Sequence, residues 1–390
     1  MAKARAPAKQ SGELRGRTPK QRMLAAYRGL PLDRPPVAPE FWYYYPARVL
    51  GVDMVAFERE VPLWEALLAT FRRCGCAGWG AVFPTETDPD RRVETSFAEV
   101  EEGVFRETQT CTWREASFTT RRLYSLEEPS WIEAYPVERE EDLDAYLEMR
   151  LSDRISWDTA AASEAHARVG EAYLLEVWLG CPFFDLISDA MGFEKAVYYF
   201  TACAPERLEA WRDRYIAFTE RLVDRVCRDA VFESLVIGCS SSCNSLIGPQ
   251  MWRRWDKPYI RAVCERVHAN DRLLHVHFHG KSMETAADFA ELGIDSVCPF
   301  ERPPGGDVDG YEGLVRLREL LEDKVTMNGN VHTVETLIRG TPTDVRRQVR
   351  EIKRAFAGSH RLIIGTGDQV GRETPEENVL AMIEEGQRRS

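Results

Sequence analysis

With 390 residues, 44% of them hydrophobic and 29% charged, the chain has enough apolar material for a large core and too even a composition for wholesale disorder. A formal charge of -12 argues against a nucleic-acid partner, because such a molecule repels a phosphate backbone. No apolar run reaches the roughly 20 residues of a membrane span, and the opening MAKARAPAKQSGELRGR lacks the apolar centre of a secretory signal.

These features predict a cytoplasmic protein with a flexible basic tail over residues 1–17 and one domain over 18–390. The ten cysteines are scattered, with no secretory context, and fit a reducing compartment better than a disulfide scaffold. Cys74 with Cys76, and Cys239 with Cys243, have no second pair at zinc-ribbon spacing. Cys239, after an apolar run, reads as a pocket-lining residue.

In chain order, short apolar runs are predicted as strands at 39–45, 78–84, 172–179, 233–239, 272–279, 294–300, 324–330 and 361–366. Amphipathic stretches at 249–269, 282–293, 313–323 and 375–389 read as helices between and after them. Eight strand-helix units predict an α/β fold, a (β/α)8 TIM barrel. The stretch 95–126 breaks the rhythm and reads as antiparallel ribbon, hence a β insertion after the second strand that covers one rim of the pocket. An open doubly wound sheet is the competing architecture, but no GxGxxG or P-loop accompanies an early strand.

The stretch HVHFHG, 275–280, sets three of the seven histidines on alternate positions. Residues two apart on a strand share a face, so His275, His277 and His279 point together into a barrel, His277 and His279 nearest its C-terminal mouth. Two imidazoles so spaced can grip one metal ion; the alternative is three polar residues filling interior layers. Further ligands belong at other strand ends on the same face, which brings in Glu301 after CPF and Asp368 with Thr366 in GTGDQ. Glu301 alone reads equally well as a solvated carboxylate.

HFHGK at 277–281, CPFERPPGGDVD at 298–309, MNGNVHTVETLIRGTPTDV at 327–345 and GTGDQVGRETPEENV at 365–379 together resemble the uroporphyrinogen decarboxylase superfamily. The resemblance is closest to its zinc-dependent methylcobalamin:coenzyme M methyltransferase branch, with cobalamin-independent methionine synthase more distant. TPKQRMLAAYRGLPLDRPPVAPEF looks like that superfamily's opening helix and first strand, so the likeness runs from about Thr18 to the C-terminus.

In the methyltransferase branch, zinc is held by a His-x-Cys pair, a later glutamate and a distant cysteine. The resemblance puts His277 at the histidine, His279 where the pair's cysteine would be, Glu301 at the glutamate, and Thr366 at the distant cysteine. Asp368 is the candidate replacement ligand, and His275 orients the ligands from behind. Losing two thiolates makes the ion more electrophilic, which disfavours thiol alkylation and favours polarising a methoxy or hydroxyl oxygen. Zinc follows from the resemblance; iron or manganese also suits two histidines and a carboxylate.

The decarboxylase branch carries an arginine-rich loop after the first strand, where this chain has EFWYYYPARVLG with only Arg48. Trp42 and Tyr44 in that aromatic run point to a flat or apolar ligand, or else to bulky core. Asn330 reads as a substrate contact or a helix-start residue, and His332 has the same two readings.

The expected function is metal-dependent transfer of a methyl group between a small methylated, O-methyl compound and a corrinoid carried by a separate protein, or a thiol. The alternatives are a lyase of the decarboxylase type and a corrinoid-partner subunit without catalysis. A homodimer is implied by the resemblance alone.

Overall fold

The computed structural model describes residues 16–229 and 231–388, so nearly all of the tail expected over 1–17 lies outside the described residues. Eight parallel strands carry the fold: β1 (Val37–Ala38), β2 (Trp79–Val82), β3 (Leu174–Trp178), β4 (Ser234–Cys239), β5 (Leu273–Phe278), β6 (Ser296–Pro299), β7 (Thr326–Val331) and β8 (Leu362–Thr366). Hydrogen bonds join them in the order β1-β8-β7-β6-β5-β4-β3-β2. The sheet is curled and TIM-barrel-like. Its end strands β1 and β2 share no backbone pairs among the described residues, and the rings of Trp42 and Trp79 bridge them at 5.2 Å.

Strand alternation sorts the core into two layers. In β4, Leu235, Ile237 and Cys239 pack outward against the helices, while Val236 packs inward with Ala38, Trp79, Leu174, Cys298 and Ile363. The helix Pro19–Tyr27 plugs the N-terminal end of this interior with Met23 and Tyr27. It starts at a capping box, Thr18 with Gln21, and Thr326 Oγ1 donates to its Ala26 carbonyl at 2.7 Å. Between and after the strands run Gly248–Ala269, Ala286–Leu292, Gly310–Leu321 and Glu376–Gln387, close to the helices expected there, and Pro342–Ala355, which was not expected.

The first strand departs from expectation. The aromatic run suggested strand over 39–45, yet β1 spans only Val37–Ala38 and Tyr44–Leu50 is helical. Prolines at 36 and 39 bracket β1 and supply no N–H for a longer ladder, while Pro46 sits in the first helical turn, where it is tolerated. Between β2 and β3 the chain forms a separate antiparallel sheet of four strands, Arg91–Glu101, Val104–Trp113, Ala116–Ser125 and Trp131–Ala134. Arg372, in the loop beyond β8, donates to the Glu127 carbonyl at 3.3 Å and pairs with Glu128 at 2.9 Å, which ties this sheet to the strand-end side of the fold.

Candidate metal centre

The inward-facing side chains at the C-terminal ends of β1, β3, β5 and β6 meet in one buried cluster. Parallel register sets His275 beside Ser296 and His277 beside Cys298, and both histidines share the interior face. The Cys298 Sγ lies 3.0 Å from His275 Nε2 and 3.0 Å from His277 Nδ1. His275 Nδ1 is 2.9 Å from Glu176 Oε2, and Ser234 Oγ donates to the other carboxylate oxygen at 2.6 Å. At the open end, the Nε2 atoms of His277 and His279 face each other at 2.8 Å. His279 Nδ1 is 3.0 Å from Glu301 Oε1, which also accepts from the Gly280 N–H at 2.8 Å.

The chain of contacts assigns its own protons. Burial, with the Glu40 and Glu176 charges adding to it, raises the Cys298 pKa well above the thiol's ordinary value and keeps it S–H. Glu176 accepts from His275 Nδ1–H, which leaves His275 Nε2 to accept from Cys298. The sulfur in turn accepts from His277 Nδ1–H, so the His277 Nε2 lone pair points at His279. Burial and the two neighbouring imidazoles hold His277 well below the usual histidine range, in agreement with a neutral ring. Burial also opposes protonation of His279, but the Glu301 hydrogen bond and the Asp368 and Glu40 charges outweigh it and raise the pKa to about 9.

Glu40, two residues beyond β1, is the carboxylate the sequence analysis missed. Its Oε1 lies 3.7 Å from His277 Nε2 and accepts from the Trp42 indole N–H at 2.6 Å. Burial, reinforced by the Asp368 charge, raises its pKa to about 8. Its backbone is stitched to β8: the Glu40 N–H donates to Thr366 Oγ1 at 3.0 Å, and the Val370 N–H donates to the Glu40 carbonyl at 2.9 Å. Glu40, His277 and Cys298 each bring one donor atom within 4.8 Å of the others. Cys298 was missed as well, although its signal was present in the pattern: it shares β6's inward face with Ser296, directly beside His277. Glu40 was hidden because prolines and aromatic residues around it read as core.

The remaining expected site residues fall in three groups. His275, His277 and His279 converge as anticipated from their spacing. Glu301 comes to the same place, yet its Oε1 is taken up by the His279 ring and the Gly280 amide. The glycines of PPGGD let the loop fold over it, since a Cβ at Gly306 would lie 2.0 Å from the Glu301 carbonyl oxygen. Asp368 is close enough to perturb Glu40 and His279, its own pKa is raised by burial, and its Oδ1 accepts from the Gln369 N–H at 2.6 Å. Thr366 acts on the Glu40 backbone, and Trp42 on the Glu40 carboxylate.

Four expected contacts lie elsewhere. Cys239 shares the helix-facing side of β4 with Leu235 and Ile237, so it does not line the interior. Tyr44 belongs to the helix after β1, packs with Tyr43 and Phe57, and donates its hydroxyl to Glu128 at 2.6 Å. The buried amide nitrogen of Asn330 donates to the carbonyls of Phe300 at 2.9 Å and Val308 at 3.2 Å, holding the loop that carries Glu301. His332 has the capping role: its Nδ1 accepts from the Val334 and Glu335 N–H groups at 3.2 Å each.

A further support was not anticipated. Asp185 accepts from the backbone N–H groups of Ser240, Ser241 and Ser242 at 3.0, 2.7 and 3.0 Å, and Ser242 Oγ donates to Asp256 at 2.6 Å. This pair of buried acids fixes the loop after β4, from which Ser245 Oγ accepts the Lys281 N–H at 2.9 Å beside the histidine pair.

Two nitrogen donors, a carboxylate and a thiol gathered at the strand-end mouth of a parallel α/β sheet define an enzyme-type site of the TIM-barrel kind. Residues 124–389 match the family described as uroporphyrinogen decarboxylase (URO-D), well over half of the chain, and the protein belongs to that family. A uroporphyrinogen decarboxylase from Paraburkholderia phytofirmans is 23% identical over 143 residues, which is 36% of this chain and 36% of that relative. A methyltransferase from Methanosarcina mazei has a similar fold, with a TM-score of 0.64 and 15% identity over 95% of this chain and 98% of that one.

Proposed function

We propose that this protein is a divalent-metal-dependent enzyme that moves a methyl group from a small O-methyl compound to the cobalt of a corrinoid on a separate protein, or to a thiol. The observation that carries the reading is His277 Nε2, which stands 2.8 Å from His279 Nε2 and 3.7 Å from Glu40 Oε1 at the open end of the sheet. These three atoms are the proposed ligands. Glu301 orients the His279 ring and Cys298 the His277 ring, as outer carboxylates and hydrogen-bond partners do around metal-binding histidines. Asp368 completes the set from the β8 side. The donor set of nitrogen and oxygen suits zinc, iron or manganese.

When bound, such an ion supplies Lewis acidity to an ether oxygen. In the overall exchange the methyl carbon leaves its oxygen and bonds to Co(I), whose electron pair makes the new bond. The oxygen keeps the old pair and takes up a proton. His277, His279 and Glu40 would hold the ion, and Trp42 restrains the Glu40 carboxylate through its indole N–H. The mouth suits a neutral substrate better than a polycarboxylate. Arg48 is committed to the Arg372 and Thr374 carbonyls, and Arg372 to Glu127 and Glu128.

Metal analysis of the purified protein, followed by incubation with methyl ethers and a Co(I) corrinoid, tests this directly. About one equivalent of metal and a methylcobalt spectrum are expected. Absence of bound metal that persists after reconstitution with zinc, iron and manganese overturns the reading. Membership of the URO-D family favours a second one, a lyase acting on a small carboxylated substrate. It predicts CO2 release that continues in the presence of chelator.

A further inference from the structure

The mouth of the fold is chemically divided. On the β5, β6 and β8 side stand His279, Glu301 and Asp368. On the β1, β2 and β3 side the rings of Phe83, Trp178, Trp42 and Trp79 form a continuous series, with centroids 6.1, 6.4 and 5.2 Å apart, and Trp79 lies 5.7 Å from the His277 ring. Trp42 meets both other indoles nearly at right angles, 88° and 82°. The series ends at the Trp42 hydrogen bond to Glu40, so it leads to the proposed ligands.

Phe83 is not accounted for by core packing, and Trp178, which packs against the inner layer, is accounted for only in part. Phe83, just past β2, is 60% exposed, and Trp178 at the end of β3 is only partly buried. Both line a cavity of about 190 Å³ whose other walls include Trp157, Tyr215 and Phe218 together with the charged Glu86 and Arg150. By volume this cavity has room for a single six-membered ring, since about 150 Å³ holds one benzene molecule. Trp178 is admitted by a missing side chain: a Cβ at Gly238 on β4 would lie 2.3 Å from its Cη2.

We propose that the aromatic half of the mouth is an aryl subsite, and that the methyl donor is an aryl methyl ether. Its ring is held beside Trp178 and Phe83, and its methoxy group is directed past Trp42 toward Glu40 and His277. Aromatic rings favour edge-to-face and offset contacts with other rings, and a saturated ring of equal size gains none of that directionality. The proposal rests on the methyl-transfer reading for the fate of the methoxy group, but ring recognition can be measured without turnover.

Isothermal calorimetry with methoxybenzene, methoxycyclohexane and tetramethylammonium as probes, on wild type, Phe83→Ala and Trp178→Leu, tests it. Methoxybenzene is expected to bind wild type more tightly than methoxycyclohexane. Each substitution should weaken methoxybenzene about 3- to 10-fold and reduce the preference over methoxycyclohexane, with metal content unchanged. Phe83→Ala removes an exposed ring and keeps the test independent of folding losses at Trp178. Equal binding of the two ethers, or unchanged methoxybenzene affinity in Phe83→Ala, overturns the subsite. Tighter binding of tetramethylammonium also overturns it, in favour of a cation cage. If methoxybenzene binds as expected but the protein holds no metal, the subsite stands and the methyl-transfer reading falls.

Discussion

Both ends of the parallel sheet carry histidines beside carboxylates, and they use them differently. At the N-terminal end, His268 donates to Asp295 at 2.8 Å and Lys20 closes on Glu233 at 2.6 Å, with His166 3.0 Å away on the same carboxylate. Each charge there has an opposite charge in contact, and the shifts favour the charged forms: His268 is raised to about 10 by Asp295 and Cys264, and Glu233 is lowered to about 2 by His166 and Lys20 against the cost of burial. At the C-terminal end burial pushes Glu40 to about 8, depresses His277 and raises Asp368, so three groups are driven toward their neutral forms, while His279, paired with Glu301, is raised to about 9. One end spends its ionisable groups on holding the chain together. The other holds Glu40, His277 and Cys298 close together and mostly neutral, at a cost in desolvation that a stability role would not require.

The largest expected break in that contrast is His277→Ala, which should abolish stoichiometric metal by elemental analysis, whereas His268→Ala should leave it intact. Glu301→Gln sharpens the assignment of roles at the mouth. As an orienting partner of His279 it should lose about 10- to 100-fold in metal affinity, measured by chelator competition, while Glu40→Gln should lose more. Gly238→Ala drives a methyl group into Trp178 and should cost about 1–3 kcal/mol in urea unfolding.

The smallest effect is expected at the other end, with Asp295→Asn. The His268 pKa is raised on folding, so its contribution is complete below about pH 6.5 and is lost as pH rises through about 10. His268 is partly solvent-exposed, so the variant should lose only about 0.5–1 kcal/mol at pH 6. It should lose progressively less of that charge-dependent increment toward pH 10, read from denaturant midpoints.

Much of this could be read from the chain itself. Seven of the eight strands of the parallel sheet lie within the runs of apolar residues expected to form them, give or take a residue, because buried parallel strands are apolar on both faces. The spacing of His275, His277 and His279 announced a shared direction. What could not be read was set by contacts between distant segments. The short first strand lost to its prolines, and the aromatic residues after it turned into helix where strand propensity pointed the other way. Glu40 and Cys298 enter the cluster only through the curl of the sheet and the register of β5 with β6. Glu301 was placed correctly in space, but which of its oxygens was already engaged depended on the Gly280 amide.

The stitching of Glu40 to Thr366 spans 326 positions in the chain. During synthesis the histidines of β5 and the thiol of β6 emerge well before β8 exists to anchor that carboxylate. A nascent chain therefore carries an incomplete set of donors until its last strand has docked.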